Sequence, residues 1–302
     1  MENLARKITC NFTKHYGYNT YMDIYYPEKP RERNACVLTL HSGGFYDGAR
    51  DDELQMQIIE MLIKEGFVVA SADYRLGMRE WYKDHKFSLF DLSAMFRYCV
   101  DLAREDCERA VQFLLDKAEE LKFDQYWHLK IVLAGCSSGA VAVLQTEYSR
   151  SGIWEPAAVI AFSGSILCDV PLYFTFHPAP MLLVHGLKDK VIRAGNSWLI
   201  GSAWTFFGSK YIQKAALKAN GACRVIWFND GEHEVSMAMP KMTKEVTEFI
   251  DQSLRRNYIS ESVGCGYSVR LNDVQYGNID LREEAKRWRG QTALGLIKAN
   301  LQ

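Results

Sequence analysis

The apolar and polar positions of the chain fall into two recurring patterns: short unbroken apolar runs, and longer stretches whose apolar residues repeat at helical spacing. The runs Ala35-Cys36-Val37-Leu38-Thr39-Leu40, Phe67-Val68-Val69-Ala70, Ile131-Val132-Leu133-Ala134, Ala157 to Phe162, Met181-Leu182-Leu183-Val184 and Arg224-Val225-Ile226-Trp227-Phe228 are too short for helices and read as buried strands. Between them, residues 51–65 place Leu54, Ile58, Met61 and Leu62 on one helical face and stop at Gly66, and residues 91–121 predict a long helix. Two more helices are expected over residues 205–219, ended by Gly221, and from Pro240 to Arg255.

Residues 8–26 predict two strands around the turn Tyr16-Gly17-Tyr18-Asn19, an antiparallel start that Pro27 closes. Residues 76–90 carry Trp81, Tyr82, Phe87 and Phe90 without periodicity, so they read as an aromatic loop, as do the residues around Tyr173, Phe174 and Phe176. Steady alternation of strand and helix argues for an α/β fold: a mostly parallel sheet with an antiparallel N-terminal strand pair and helices on both faces. The alternation stops after Arg255. We therefore expect one domain over residues 1–256 and an appendage over 257–302, whose short helical stretch from Leu281 to Trp288 shows no evident core face.

Composition narrows the function classes. The chain has 302 residues, 48% hydrophobic and 24% charged, with a formal net charge of −1, which is globular and gives no electrostatic reason to expect nucleic acid or an anionic membrane. Met1 to Thr20 holds Glu2, Arg6, Lys7 and Lys14 and no continuous apolar run, so neither a signal peptide nor a membrane span is expected. The expected compartment is the cytoplasm, or the periplasm or exterior if a signal peptide has been removed. The eight cysteines form no C-x-x-C pair and sit mostly in apolar runs, so reduced core thiols are expected and a metal site is not.

The chemistry centres on Gly135-Cys136-Ser137-Ser138-Gly139, between the strand that starts at Ile131 and the small and aliphatic residues Ala140 to Leu144 that open a helix. A turn this tight strains its central residue, so the positions two before and two after it must lack side chains. Ser137 is then raised off the sheet as a nucleophile. The Ser138 amide, at the first turn of a helix, has no intrahelical partner and can donate to an oxygen that turns negative. Cys136 is a nucleophile by chemistry, but its place before the apex points it into the fold as a small buried hydrophobe.

A serine hydroxyl needs a base, and the base needs a carboxylate that fixes its tautomer. His233, in the loop Asn229-Asp230-Gly231-Glu232-His233-Glu234 after the last strand, is the expected base. Asp189, in the turn after His185, is the expected carboxylate, with Asp169 as its substitute; Asp230, Glu232 and Glu234 lie too near in sequence to reach the far nitrogen of His233. His41-Ser42-Gly43-Gly44 is expected to complete the anion hole through the amides of Gly43 and Gly44. His41 and His185 read as residues that pin their loops, and Asp73-Tyr74-Arg75 as a buried polar turn.

With these residues in place, the chain resembles the α/β-hydrolase superfamily, in the esterase/lipase group related to hormone-sensitive lipase, and is most similar to small carbohydrate-ester and feruloyl-type esterases of bacteria. The matching pieces are Met22 to Pro27, His41 to Gly48, Asp73-Tyr74-Arg75, Gly135 to Gly139, His185 to Asp189 and His233-Glu234-Val235. Two residues depart from that pattern: Ser42 stands where the oxyanion motif usually has glycine, and Ser138 where alanine is common, with only the amide of Ser138 expected to matter. The resemblance implies hydrolysis of an ester through an acyl-enzyme, with no metal or organic cofactor.

The expectation is therefore a carboxylesterase acting on short acyl or aryl esters, with esters on sugars among its small-molecule partners. A prolyl-type peptidase, a lipase for longer chains and a non-catalytic binding protein of the same fold are the alternatives. Acyl specificity and oligomeric state are not encoded in any of these motifs.

Overall fold

A computed structural model describes residues 1–31, 35–121, 130–151, 154–169, 171–199, 202–255, 266–269 and 281–301. Its frame is a nine-stranded sheet. In chain order the strands are β1 (Leu4–Asn11), β2 (Tyr21–Pro27), β3 (Cys36–Leu40), β4 (Val68–Ala72), β5 (Ile131–Cys136), β6 (Ala158–Phe162), β7 (Ser165–Cys168), β8 (Met181–Gly186), β9 (Asn196–Trp198), β10 (Thr205–Gly208), β11 (Cys223–Phe228) and β12 (Gly266–Val269). The large sheet runs β1-β2-β4-β3-β5-β6-β8-β11-β12, and β7-β10-β9 form a small separate one. β2 is antiparallel to both its neighbours and every other pairing in the large sheet is parallel.

The helices are α1 (Glu53–Lys64), α2 (Gly77–Asp84), α3 (Leu92–Asp116), α4 (Ser138–Tyr148), α5 (Ser209–Lys218), α6 (Thr243–Leu254), α7 (Arg282–Trp288) and α8 (Ala293–Asn300). Alternate strand residues face opposite ways, and the core divides accordingly. Leu38, Leu133 and Leu183 pack with α3, α4 and α5, whereas Val37, Val132 and Val184 pack with α1 and α6. Both faces are buried; a side chain as deeply buried as Phe162 contributes about 1.5–3 kcal/mol. Helix α1 shows how its ends are set: the Asp52 carboxylate accepts from the Gln55 amide at one end, and Gly66, at φ +82°, turns the chain at the other.

Three elements differ from expectation. Residues 77–84, expected as loop, form α2, held by tertiary packing: Gly77 lies so close to α3 that a Cβ would come within 2.7 Å of the Cys99 Cα, and Met78 is buried beside it. The helix expected from residue 205 starts at Ser209, because Thr205 to Gly208 pair with β7 and are a strand of the small sheet. The alternation also does not end at Arg255, since Gly266 to Val269 add a parallel strand beside β11. The rest of residues 256–280 lies outside the described residues.

The register aligns the carboxyl ends of the central strands. Leu40 pairs with Gly135, Cys136 with Phe162, Phe162 with Val184, and Gly186 with Phe228. The segments that follow β3, β5, β8 and β11 therefore emerge along one rim. No helix among the described residues is long and apolar enough to cross a membrane.

Candidate active site

Ser137 sits at the apex of the turn between β5 and α4 with φ 53° and ψ −119°, a left-handed backbone that a residue with a side chain adopts only under constraint. The constraint is visible on both sides. A Cβ on Gly135 would lie 2.4 Å from the Gly139 carbonyl carbon, and one on Gly139 would lie 2.2 Å from the Leu40 oxygen. The turn is further held by the Ser137 amide, which donates to Phe162 O at 2.9 Å. Cys136 points the other way, into the apolar layer under α1 and α6, and burial pushes its thiol pKa up.

At the rim, Ser137 Oγ lies 2.9 Å from His233 Nε2, and His233 Nδ1 lies 2.8 Å from Asp189 Oδ2. With Nδ1 donating its proton to the carboxylate, Nε2 carries the lone pair and faces the hydroxyl. Asp189 is fixed through its other oxygen, which accepts from the amides of Val191 at 2.8 Å and Ile192 at 2.9 Å. His233 and Asp189 are buried, while Ser137 keeps 8% of its surface exposed. The two supporting turns touch because of Gly186, where a Cβ would lie 2.4 Å from the Gly231 and Glu232 carbonyl oxygens.

The other acids do not reach the imidazole. Lys188 pairs with Asp230 at 2.8 Å, Glu232 Oε2 accepts from the Gly290 amide, Glu234 Oε1 accepts from the Glu232 amide, and Asp169 is exposed. His185 is buried, its Nε2 donating to Ile192 O and its Nδ1 accepting from Ser209 Oγ, each at 2.8 Å. Burial lowers its pKa, so it pins the Asp189 turn as a neutral ring. His41 is likewise buried, stacked on Tyr74 at 4.3 Å and bonded to Ser42 O at 2.6 Å, with its pKa lowered by burial.

The three amides expected to stabilise an oxyanion lie in this neighbourhood in two different states. Gly43 and Gly44 have φ of 118° and 64°, and a Cβ on Gly43 would be 1.9 Å from Asp47 O. Among the described residues, the Gly43 and Ser138 amides donate to no protein acceptor, the latter because it opens α4. The Gly44 amide instead donates to Ser138 Oγ at 2.9 Å. That hydroxyl is also 3.0 Å from Tyr74 Oη, which in turn donates to His41 O at 3.0 Å. Proton counting then orders the chain: Gly44 N–H to Ser138 Oγ, Ser138 O–H to Tyr74 Oη, and Tyr74 O–H to His41 O. The side chain of Ser138, not only its amide, is built into the loop.

A cavity of about 480 Å³ opens beside Ser137 and Gly44, within the size range of about 300–1,000 Å³ usual for small-molecule sites. Phe45, Met78, Phe96, Val141 and Phe206 give it an apolar wall, and Lys190 and Arg193, both solvent-exposed, are its charged borders. Thr292, Leu294 and Ile297 also line it. Sequence reasoning missed those three residues and the Ser138 hydroxyl. Nothing local marks them, since each matters only through a partner far away along the chain.

The family model BD-FAE matches residues 22–151. Among solved structures, an arylesterase superposes with a TM-score of 0.57 over 84% of this chain and 86% of its own, at 16% identity. The chain therefore has the fold of an esterase. The chain is also similar to esterase 2 of the planctomycete Thermogutta terrifontis, solved phosphorylated by paraoxon, with a TM-score of 0.55, 18% identity and coverage of 83% and 95% of the two chains. A truncated carbohydrate esterase from gut microbiota matches at a TM-score of 0.54 and 14% identity, over 84% of this chain and 98% of that protein. No curated protein sequence matches this chain.

Proposed function

We propose that the protein is a serine carboxylesterase that cleaves short acyl or aryl esters through an acyl-enzyme on Ser137, with sugar esters within its range. The observation that carries this reading is the unbroken line of hydrogen bonds from Asp189 through His233 to the Ser137 hydroxyl, at the edge of an apolar cavity. Its esterase neighbours, one of them phosphorylated by paraoxon, support the same class of reaction.

In the first half-reaction Ser137 Oγ attacks the ester carbon as its proton passes to His233 Nε2. Asp189 then faces an imidazolium and stabilises it, which a neutral partner could not do. The carbonyl oxygen, now negative, is received by the Gly43 and Ser138 amides, and by Gly44 if its bond to Ser138 Oγ is exchanged or shared. Each such donor is worth about 3–4 kcal/mol in comparable enzymes. His233 returns the proton to the alcohol as the C–O bond breaks, leaving acyl-Ser137. A water molecule, deprotonated by the same nitrogen, attacks the acyl carbon, and the acid leaves as the proton returns to Ser137 Oγ.

Replacing Ser137 by alanine tests the reading, because the methyl group cannot attack while the turn, set by backbone bonds, is kept. Turnover of p-nitrophenyl acetate should fall by about 10⁶ in kcat, as in other triads. Retained turnover in a folded Ser137→Ala protein would place the nucleophile elsewhere.

A further inference from the structure

The last described segment of the chain returns to the rim that carries Ser137. Leu281 is buried in the layer under α1 and α6, and Lys241 pairs with Glu284 at 2.8 Å. The Trp288 indole N–H donates to Met237 Sδ at 3.4 Å, and the Gly290 amide donates to Glu232 Oε2 at 2.8 Å. These anchor points, Glu232, Met237 and Lys241, bracket His233 in sequence. Trp288 itself stands 4.8 Å from the His233 ring at 74°, an edge-on aromatic contact. The segment is thus fastened to the turn that bears the base.

Beyond that fastening, Thr292 caps α8 by accepting from the Gly295 amide at 3.1 Å. Ala293, Leu296, Ile297 and Asn300 follow at helical intervals of three, four and seven residues, and together with Leu294 they form one face. An apolar helical face is normally spent on a core or on another helix. Here all five residues border the cavity that opens on Ser137, and Ile297 alone is buried in the main core cluster. The cavity, at about 480 Å³, is also far larger than an acetyl group needs.

We propose that α8 is the selector of the ester: its inner face, led by Leu294 and Ile297, sets the size of the apolar group that sits beside Ser137. The inference rests on the esterase reading and extends it to residues outside the α/β core. Because α7 is tied to the His233 turn, the selecting wall and the reacting atoms keep a fixed separation. An apolar group that fills the space against α8 is held with its carbonyl near the Gly43 and Ser138 amides, whereas a smaller one leaves the wall uncovered. The apolar group can come from the acyl or the alcohol side of the ester, and the chemistry read by the wall is the same.

The test compares kcat/KM along two series, p-nitrophenyl acetate, butyrate and octanoate for the acyl side, and methyl, butyl and benzyl acetate for the alcohol side. Leu294→Trp narrows the cavity from a partly exposed position that tolerates bulk, Ile297→Trp narrows it from the buried side, and Ile297→Ala widens it. A methylene gained or lost in a pocket is worth about 10- to 200-fold in discrimination. The large-to-small ratio in one series should therefore fall by at least about tenfold in the tryptophan variants and rise in Ile297→Ala. The series that responds identifies which side of the ester lies against α8. Ratios in both series that stay within about twofold of the parent, in folded variants still labelled at Ser137 by a fluorophosphonate, would overturn the proposal. Absence of labelling at Ser137 in the parent protein would instead remove the esterase reading, and the selector with it.

Discussion

The Gly44 amide donates to the hydroxyl of Ser138 at 2.9 Å, so the residue after Ser137 holds the glycine loop with its side chain as well as facing the site with its own amide. The bond ties the loop after β3 to the start of α4, and Tyr74 extends it to the His41 carbonyl. Burial raises the Tyr74 phenol far above its ordinary pKa, so the group keeps the proton this network needs. Ser138→Ala removes one acceptor and one donor from a buried network. The expected outcome is a loss of about 1 kcal/mol in stability, measured by urea unfolding. The same change frees the Gly44 amide for an oxyanion, so kcat should change by less than about tenfold, against the 10²–10³ typical of a lost donor.

Asp189 is held by two backbone amides on one oxygen and by His233 on the other. In Asp189→Asn the amide oxygen can still accept from Val191 and Ile192, so the turn should survive. The NH₂ group then faces His233 Nδ1, favouring the tautomer that places a proton on Nε2 and leaves Ser137 without a base. A fall of about 10⁴ in kcat is expected with little change in melting temperature.

Glu147 gives a pH signature of the fold rather than of the site. Its side chain is buried on α4, where it accepts from the Ala179 amide at 2.8 Å and pairs with Arg150 at 3.0 Å. Burial, outweighing those contacts, pushes its pKa from 4.5 up to about 7. Between those values the folded chain holds a proton that the unfolded chain has released, so stability must fall as pH rises from about 4.5 to 7. Glu147→Gln should remove that slope, read as the difference between parent and variant in unfolding free energy across the same pH range.

Cys136 lies next to Ser137, the proposed nucleophile, and is 1% exposed, with its thiol pKa raised by burial. Iodoacetamide should therefore leave the activity of the native protein intact at neutral pH, while unfolding should open Cys136 to alkylation. Rapid inactivation tracking modification of Cys136 would argue for a thiol nucleophile.

What could be read in the chain was whatever is carried by local order. Ile131 to Gly139 announces a strand, a tight turn and a helix because the strain at Ser137 demands glycine on both sides, and the structure has that turn. The parallel order of the central strands followed from apolar runs such as Val37-Leu38 and Leu182-Leu183, which need cover on both faces. Helix α2 was illegible because its stability comes from Gly77 against Cys99, a contact that periodicity does not record. Trp288 and Ile297 were illegible for the same reason, since the contacts of the one with His233 and of the other with the cavity join residues far apart in sequence. The use of the Ser138 hydroxyl depended on where Gly44 and Tyr74 would fall, which only the packed loop determines.

The most direct measurement is mass spectrometry of the intact protein and its peptides after treatment with a fluorophosphonate or paraoxon. One adduct per chain, phosphonyl from the fluorophosphonate or phosphoryl from paraoxon, is expected on Ser137, appearing in step with loss of esterase activity and absent from Ser137→Ala. An adduct on a different residue, or full turnover by protein whose Ser137 is quantitatively modified, would contradict it.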